Sequence, residues 1–315
     1  MRYTRCRRLR LTFFLAYILI TKTTDAAFEQ LDLSARSAGL GGASVAFVTD
    51  ANAVARNPAG LTDLVTPELS LGYLELYGLV NYNAIFWALP LKDDQELTAE
   101  TDLAPEAIGF RLTSSSDPDG VYQELVFGCA AGKQIFPSTT VGLGVSYLSS
   151  QANLGLMQVG IGRGLSVDVG FRHQTFDGQM SLGLAIANLI SYVGYQRDKI
   201  KETDETRYSE VLRPHFRVGG VTQLGLLLPM LKYRSILEQT RVAIELANRQ
   251  FCLGLESEIH SGYLRLGYRL TNGLSRGITA GLGYQFRQFQ LDYGLVTGRY
   301  GSATNLFSVT LYFGP

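Results

Sequence analysis

Groups that do chemistry are scarce in this chain: its 315 residues hold three histidines and three cysteines. Three cysteines in a chain of this length exclude a disulfide scaffold. His173, His215 and His260 each lie on a different predicted strand, and no His/Cys/Asp group has metal-ligand spacing. No catalytic set, metal or cofactor is therefore expected. Cys129 and Cys252 fall within separate predicted strands and are expected as buried free thiols. Long apolar runs are also missing. Beyond residue 26 the nearest candidate, Leu224 to Leu231, is interrupted by Pro229, which excludes a helical membrane span. Lys+Arg and Asp+Glu balance at 28 each, and the charged stretch Arg197 to Arg213 alternates in sign, so it reads as a solvated outer loop and not as a nucleic-acid patch. The run Gly39-Leu40-Gly41-Gly42 follows no hydrophobic strand, and no acidic ribose partner lies about 20 residues on, so it is no dinucleotide loop. Disorder is excluded by 46% hydrophobic residues at low net charge.

What is present begins with an export signal. Arg2, Arg5, Arg7, Arg8 and Arg10 precede an apolar core from Leu11 to Ile20, and Thr24-Asp25-Ala26 places small residues where a signal peptidase reads. Residues 1–26 are expected to be removed. They carry six basic groups, Lys22 included, and Asp25, so 22 basic groups remain against 27 acidic ones and the mature chain carries about −5. No cysteine follows the cleavage region, so no lipid anchor is signalled.

From Glu68 onward apolar residues recur with period two. Ile278, Ala280, Leu282, Tyr284 and Phe286 alternate with Thr279, Gly281, Gly283, Gln285 and Arg287, and Leu165, Val167, Val169 and Phe171 alternate with Ser166, Asp168, Gly170 and Arg172. Such alternation suits a soluble sandwich or a membrane barrel. The export signal, the polar-face glycines and aromatics near segment ends (Tyr73, Tyr77, Tyr147, Tyr268, Phe286, Tyr293, Phe313) favour the barrel. The 34 glycines, well above the ~7% of ordinary usage, leave room in the lumen for something other than wall side chains. The fold class expected is all-β: a transmembrane antiparallel β-barrel of about fourteen strands with an N-terminal small-residue hatch or plug. The predicted strands are 68–77, 80–91, 106–114, 122–134, 139–150, 164–174, 180–194, 215–227, 240–248, 250–258, 261–270, 277–287, 288–297 and 305–313. With both termini on the inner side, Ser114 to Val121, Gln151 to Arg163, Gln196 to Pro214 and Gly298 to Thr304 are outer loops. Leu91 to Pro105 and Leu228 to Gln239 are long for inner turns, which suggests a misplaced boundary, and slips at Leu74 and Val221 suggest bulges.

Residues 27–66 do not alternate. They are small and Gly-rich, with Asp50 placed to cap a helix over Ala51 to Arg56 and Asn57-Pro58 placed as an N-cap with proline at the first helical position. This is the expected plug, residues 67–315 being the barrel. Arg111, Asp168, Arg172, Arg265, Arg269, Arg287 and Asp292 fall on polar strand faces, where lipid exposure of an arginine at mid-bilayer would cost ~2–4 kcal/mol. They are expected in the lumen, paired with one another or with plug groups such as Arg36 and Asp50.

The signal, the Gly-rich segment running into Asp50-Ala51-Asn52-Ala53 and Asn57-Pro58-Ala59-Gly60, and the barrel together resemble the FadL-like outer-membrane proteins, which include long-chain fatty-acid transporters and the PorV/PorQ proteins of type IX secretion. The resemblance is architectural over the mature chain and residue-specific only from Ala35 to Leu61. It implies an outer-membrane location in a diderm bacterium and a hatch held by Asn57, Pro58, Ala59, Gly60, Gly39, Gly41, Gly42 and Asp50. It further implies passive uptake of a hydrophobic ligand, such as a fatty acid, through the lumen and a lateral gap. The alternative it carries is an interaction barrel whose outer loops dock or shuttle secreted proteins.

Overall fold

The computed structural model describes residues 27–28, 30–91, 106–155, 157–175, 178–197, 206–227, 238–248, 250–271, 277–298 and 303–314. The signal, the middle of the charged outer loop and most of the two long inner connections lie outside the described residues. The wall is built from β1 (Glu68–Leu76), β2 (Val80–Pro90), β3 (Ala107–Ser116), β4 (Tyr122–Phe136), β5 (Thr139–Leu154), β6 (Met157–Thr175), β7 (Met180–Arg197), β9 (His215–Gln223), β10 (Thr240–Ala247), β11 (Gln250–Ile259), β12 (Gly262–Leu270), β13 (Gly277–Phe286), β14 (Phe289–Thr297) and β15 (Ala303–Tyr312). A short strand β8 (Arg207–Glu210) pairs only with the outer end of β7. Every wall strand is antiparallel to its neighbours, and β1 pairs with β15 from Glu68↔Tyr312 to Glu75↔Asn305. A closed fourteen-stranded barrel results, each wall strand paired on both sides over at least part of its length.

Alternation decides which face meets lipid. Leu165, Ile278, Leu282 and Phe286 are 57–63% exposed on the outside, while Ser166, Asp168 and Thr279 between them are buried. An apolar exterior around a polar interior is the inverse of a water-soluble domain and the pattern of a membrane barrel.

Several boundaries differ from expectation, for physical reasons. Gln151 to Arg163 is strand and not loop: β5 and β6 continue to a tight hairpin at Leu154 and Met157. One boundary beside a long inner connection is misplaced: the strand expected over 215–227 ends at Gln223 and a helical turn, Leu224–Leu227, follows, whereas at the other connection β2 ends at Pro90, β3 begins at Ala107, and Leu91 N–H donates to Glu106 O at 2.8 Å. Leu74 and Val221 sit in regular ladders and face inward, where the plug gives each an apolar neighbour. The irregularities fall instead between Gln134 and Phe136, Ala152 and Asn153, and Val167 and Val169. At the last of these, Asn188 adopts φ +55° and its N–H donates to the Asp168 carboxylate at 2.8 Å. On its other side β7 pairs with β9 only as far as Ala187↔His215, and with β8 from Val193↔Glu210 outward. The interval 188–192 thus has no strand on that side, and Val211–Pro214 crosses it, tied by Ser191 Oγ donating to Leu212 O at 3.0 Å.

Candidate functional site

Residues 30–66 fill the barrel. Helix α1 (Ala35–Gly39) is capped by Ser34, whose hydroxyl accepts from Ser37 N–H. Helix α2 (Ala53–Arg56) starts two residues later than the sequence suggested, because Asp50 Oδ1 accepts from Asn52 N–H at 2.9 Å and holds that residue in a turn. A 3₁₀ turn, Pro58–Asp63, follows, with Asn57 Oδ1 accepting from Ala59 N–H at 3.2 Å. The same Asn57 donates from Nδ2 to Val45 O at 2.7 Å and to Phe171 O at 3.2 Å, joining two parts of the plug to β6. All its amide groups are used, and it is fully buried.

The glycine excess has its reason here. Gly142 and Gly170 of the wall lie against Pro58, Ala59 and Asn57, and Gly109 lies against Val54. Gly254 and Gly267 lie against Leu40, and Gly294 against Ala35. A Cβ at any of them would collide with the plug, so the room left in the lumen is occupied by backbone of this same chain. On the plug side, Gly39 meets Gly281 and its carbonyl accepts from Thr279 Oγ1 at 2.9 Å. Gly41, at φ +70°, offers its carbonyl to Arg269 Nε at 2.9 Å, and Gly42, at φ +91°, offers its own to Arg56 Nη2 at 2.7 Å. Gly60 packs on the carbonyl of Val48.

Among the described residues, ion pairs latch plug to wall in three places. Arg36 grips Glu256 of β11 through Nε and Nη2, both at 2.9 Å, and lies 3.5 Å from Asp50. Arg265 donates to Glu256 at 2.7 Å and to Asp292 at 2.6 Å. The second latch is Glu245 of β10, which accepts from Ser44 and Val45 N–H, both at 2.8 Å, and pairs with Arg56 at 3.0 Å. In the third, Arg172 pairs with Asp63 beside the 3₁₀ turn. Arg111 and Asp168 pair within the wall at 3.5 Å. Burial works against the charge of Arg36 and Arg56, but Glu256 beside the first and Asp32 and Glu245 beside the second outweigh it, and both stay above the ordinary arginine value.

The plug divides the lumen. Toward the inner turns lies a polar cavity of about 320 Å³ lined by Arg36, Asp50, Glu68, Glu256, Arg265 and Asp292. Toward the outer end lies a chamber of about 60 Å³, lined on its apolar side by Phe28, Leu31, Leu33, Phe86, Val126 and Leu148. The Phe28 ring is buried against Leu148, Val193 and Leu212, and its N–H donates to Glu124 at 2.9 Å. The start of the described chain thus reaches the outer end of the barrel.

No family model matches the chain, and no curated protein does. Solved structures do. The monoaromatic hydrocarbon channel CymD aligns at TM-score 0.59 and 14% identity, over 92% of this chain and 100% of that one. The toluene transporter TodX of Pseudomonas putida aligns at 0.54 and 12%, over 87% of this chain and 96% of that one. The chain shares its fold with these two channels. Within this barrel, one residue expected in the lumen is elsewhere. Arg287 lies exposed in the β13–β14 turn at φ +51°, its guanidinium 5.4 Å from the Phe286 ring, because the strand ends at Phe286 and alternation stops with it. Two further expectations are corrected. Cys129 is exposed on the outer face, only Cys252 being buried, and His260 occupies the β11–β12 turn. His173 is bonded to Thr139 at 2.9 Å and His215 to Asn248 at 3.0 Å, far apart in the barrel. Sequence reasoning missed Glu245, Glu256, Asp32, Arg56 and Asp63. The two wall glutamates carried a legible signal, since Glu245 sits between Ile244 and Leu246 and Glu256 follows Leu255 on strands already recognised.

Proposed function

We propose that this chain, exported by residues 1–26, is an outer-membrane channel for passive uptake of hydrophobic small molecules, its lumen held shut to water by the plug. The observation that carries this reading is the chamber above the plug, where Phe28, Leu31, Leu33, Phe86, Val126 and Leu148 give an apolar side to a lining that also includes Asp32, Arg56, Arg111 and Glu124. Asn57, Pro58, Ala59 and Gly60 anchor the hatch, Gly39, Gly41, Gly42 and Asp50 shape it, and Arg111, Asp168, Arg172, Arg265, Arg269 and Asp292 hold wall and plug in register. The likeness in fold to channels for monoaromatic hydrocarbons supports the same reading.

Chamber size bears on the ligand. An apolar cavity of roughly 150 Å³ accepts benzene, so about 60 Å³ admits a ring only once Phe28 withdraws, and a long acyl chain needs more room still. We therefore place ring-sized hydrocarbons ahead of long-chain fatty acids. Equilibrium binding of labelled toluene and of a labelled long-chain fatty acid to the folded mature protein tests this. Saturable toluene binding that tightens in Phe28→Ala is expected. Absence of binding by both ligands, in wild type and variant alike, would remove the chamber as a ligand site.

A further inference from the structure

Three adjacent wall strands are much longer than a membrane requires. β5, β6 and β7 run 16, 19 and 18 residues, whereas β9, β10 and β12 run 9, 8 and 9. A tilted strand crosses the hydrocarbon in about 9–11 residues, so the outer ends of β5–β7, extended sideways by β8, stand clear of it on the side away from the termini. Their outward face changes character along its length. On β6 the outward residues Phe171, Val169, Val167 and Leu165 are apolar, and the next one out is Arg163. On β7 the apolar row ends at Ile190 and Tyr192, followed by Gly194 and Gln196.

Cross-strand partners share a face. Arg163 pairs with Gly194 and Gly194 with Ser209, while Ile161 pairs with Gln196 and Gln196 with Arg207. Two exposed guanidinium groups therefore flank a strand whose central residue has no side chain. The Tyr192 ring lies 3.7 Å from where a Cβ on Gly194 would stand. Arg163, Tyr192, Gln196 and Arg207 line a cleft of about 520 Å³ floored by Gly160 and Gly194. Among the described residues neither arginine has an ion pair or hydrogen bond. Two exposed outward cations side by side are notable in a mature chain of about −5.

We infer that this cleft binds the phosphorylated headgroup of an outer-leaflet glycolipid. Guanidinium groups take phosphate in two-pronged fashion, and basic pockets at a membrane surface collect anionic headgroups. Tyr192, an interfacial aromatic with an apolar ring and a polar tip, stands at the boundary where acyl chains give way to headgroup. A lipid fits better than a free anion because the cleft runs directly into the apolar strip of Leu165 and Ile190, along which an acyl chain can lie. The inference requires the barrel to span an outer membrane, and it does not depend on what passes through the lumen.

Native mass spectrometry of the full mature chain in detergent tests it, with lipid A, a phosphorylated and acylated glucosamine disaccharide, as probe. Wild type should retain lipid A, and Arg163→Gln/Arg207→Gln should lose affinity by at least about tenfold, with the gel mobility of a folded barrel unchanged. Dephosphorylated lipid A should bind wild type as weakly as lipid A binds the double variant, and Arg163→Lys/Arg207→Lys should fall between. Undiminished binding by the glutamine variant, or equal binding of the dephosphorylated lipid, would overturn the inference. Displacement of lipid A by a large excess of inorganic phosphate would overturn the choice of lipid and leave an anion site.

Discussion

A single Cβ separates two glycines of β5. At Gly142 it would strike Pro58 and Ala59, whereas at Gly144, the next residue on the same inward face, it would find only ordinary contacts of 3.5–3.7 Å. Gly142→Ala is therefore expected to unseat the plug, read as protease sensitivity of residues 30–66, and Gly144→Ala to leave it seated. Equal behaviour of the two would mean that close backbone approach does not hold the plug. Glu245 is the other sensitive point, one carboxylate serving two backbone N–H groups and Arg56. Breaking a buried pair from one side costs about 3–5 kcal/mol, so Glu245→Gln should lower the melting temperature of the plug more than Arg287→Gln, which removes an exposed turn charge. Asn57→Ala leaves the Val45 carbonyl without its donor, at about 1–3 kcal/mol, and should shift the same transition.

Strands and plug were legible to different degrees because different forces set them. Period-two alternation located all fourteen wall strands, since lipid outside and polar groups inside act on every residue of a span. It failed where a third surface intervened. Leu74 and Val221 are apolar and face inward, which alternation alone reads as a slip, because the plug supplies a local apolar core to the lumen. The outer reach of β5 and β6 was hidden for another reason: above the membrane neither face is uniformly apolar, and Gln151, Asn153 and Gln158 look like loop residues. In the plug, Asn57-Pro58 announced the 3₁₀ turn through its cap, but partners such as Asp32 and Asp63 sit in segments with no period to place them. As an element, the wall closes through its own ladders without the plug. Deleting residues 30–66 should therefore leave a folded barrel with a polar, conducting lumen. A deletion form that folds yet passes no ions in a planar bilayer would show that something besides the plug closes it.

Taken whole, the molecule is an apolar cylinder around a polar lumen, closed by a segment of its own chain and holding a small chamber with one apolar side beneath its outer end. That combination suits passage of apolar molecules and opposes passage of ions. The most direct test is uptake of radiolabelled toluene by diderm cells stripped of their own hydrophobic channels, with and without this protein assembled in the outer membrane. Wild type is expected to raise the uptake rate several-fold over empty cells, and the Asn57→Ala/Pro58→Ala form to alter that rate while the barrel remains assembled. Uptake equal to that of empty cells, with the barrel demonstrably in place, would contradict the proposed channel.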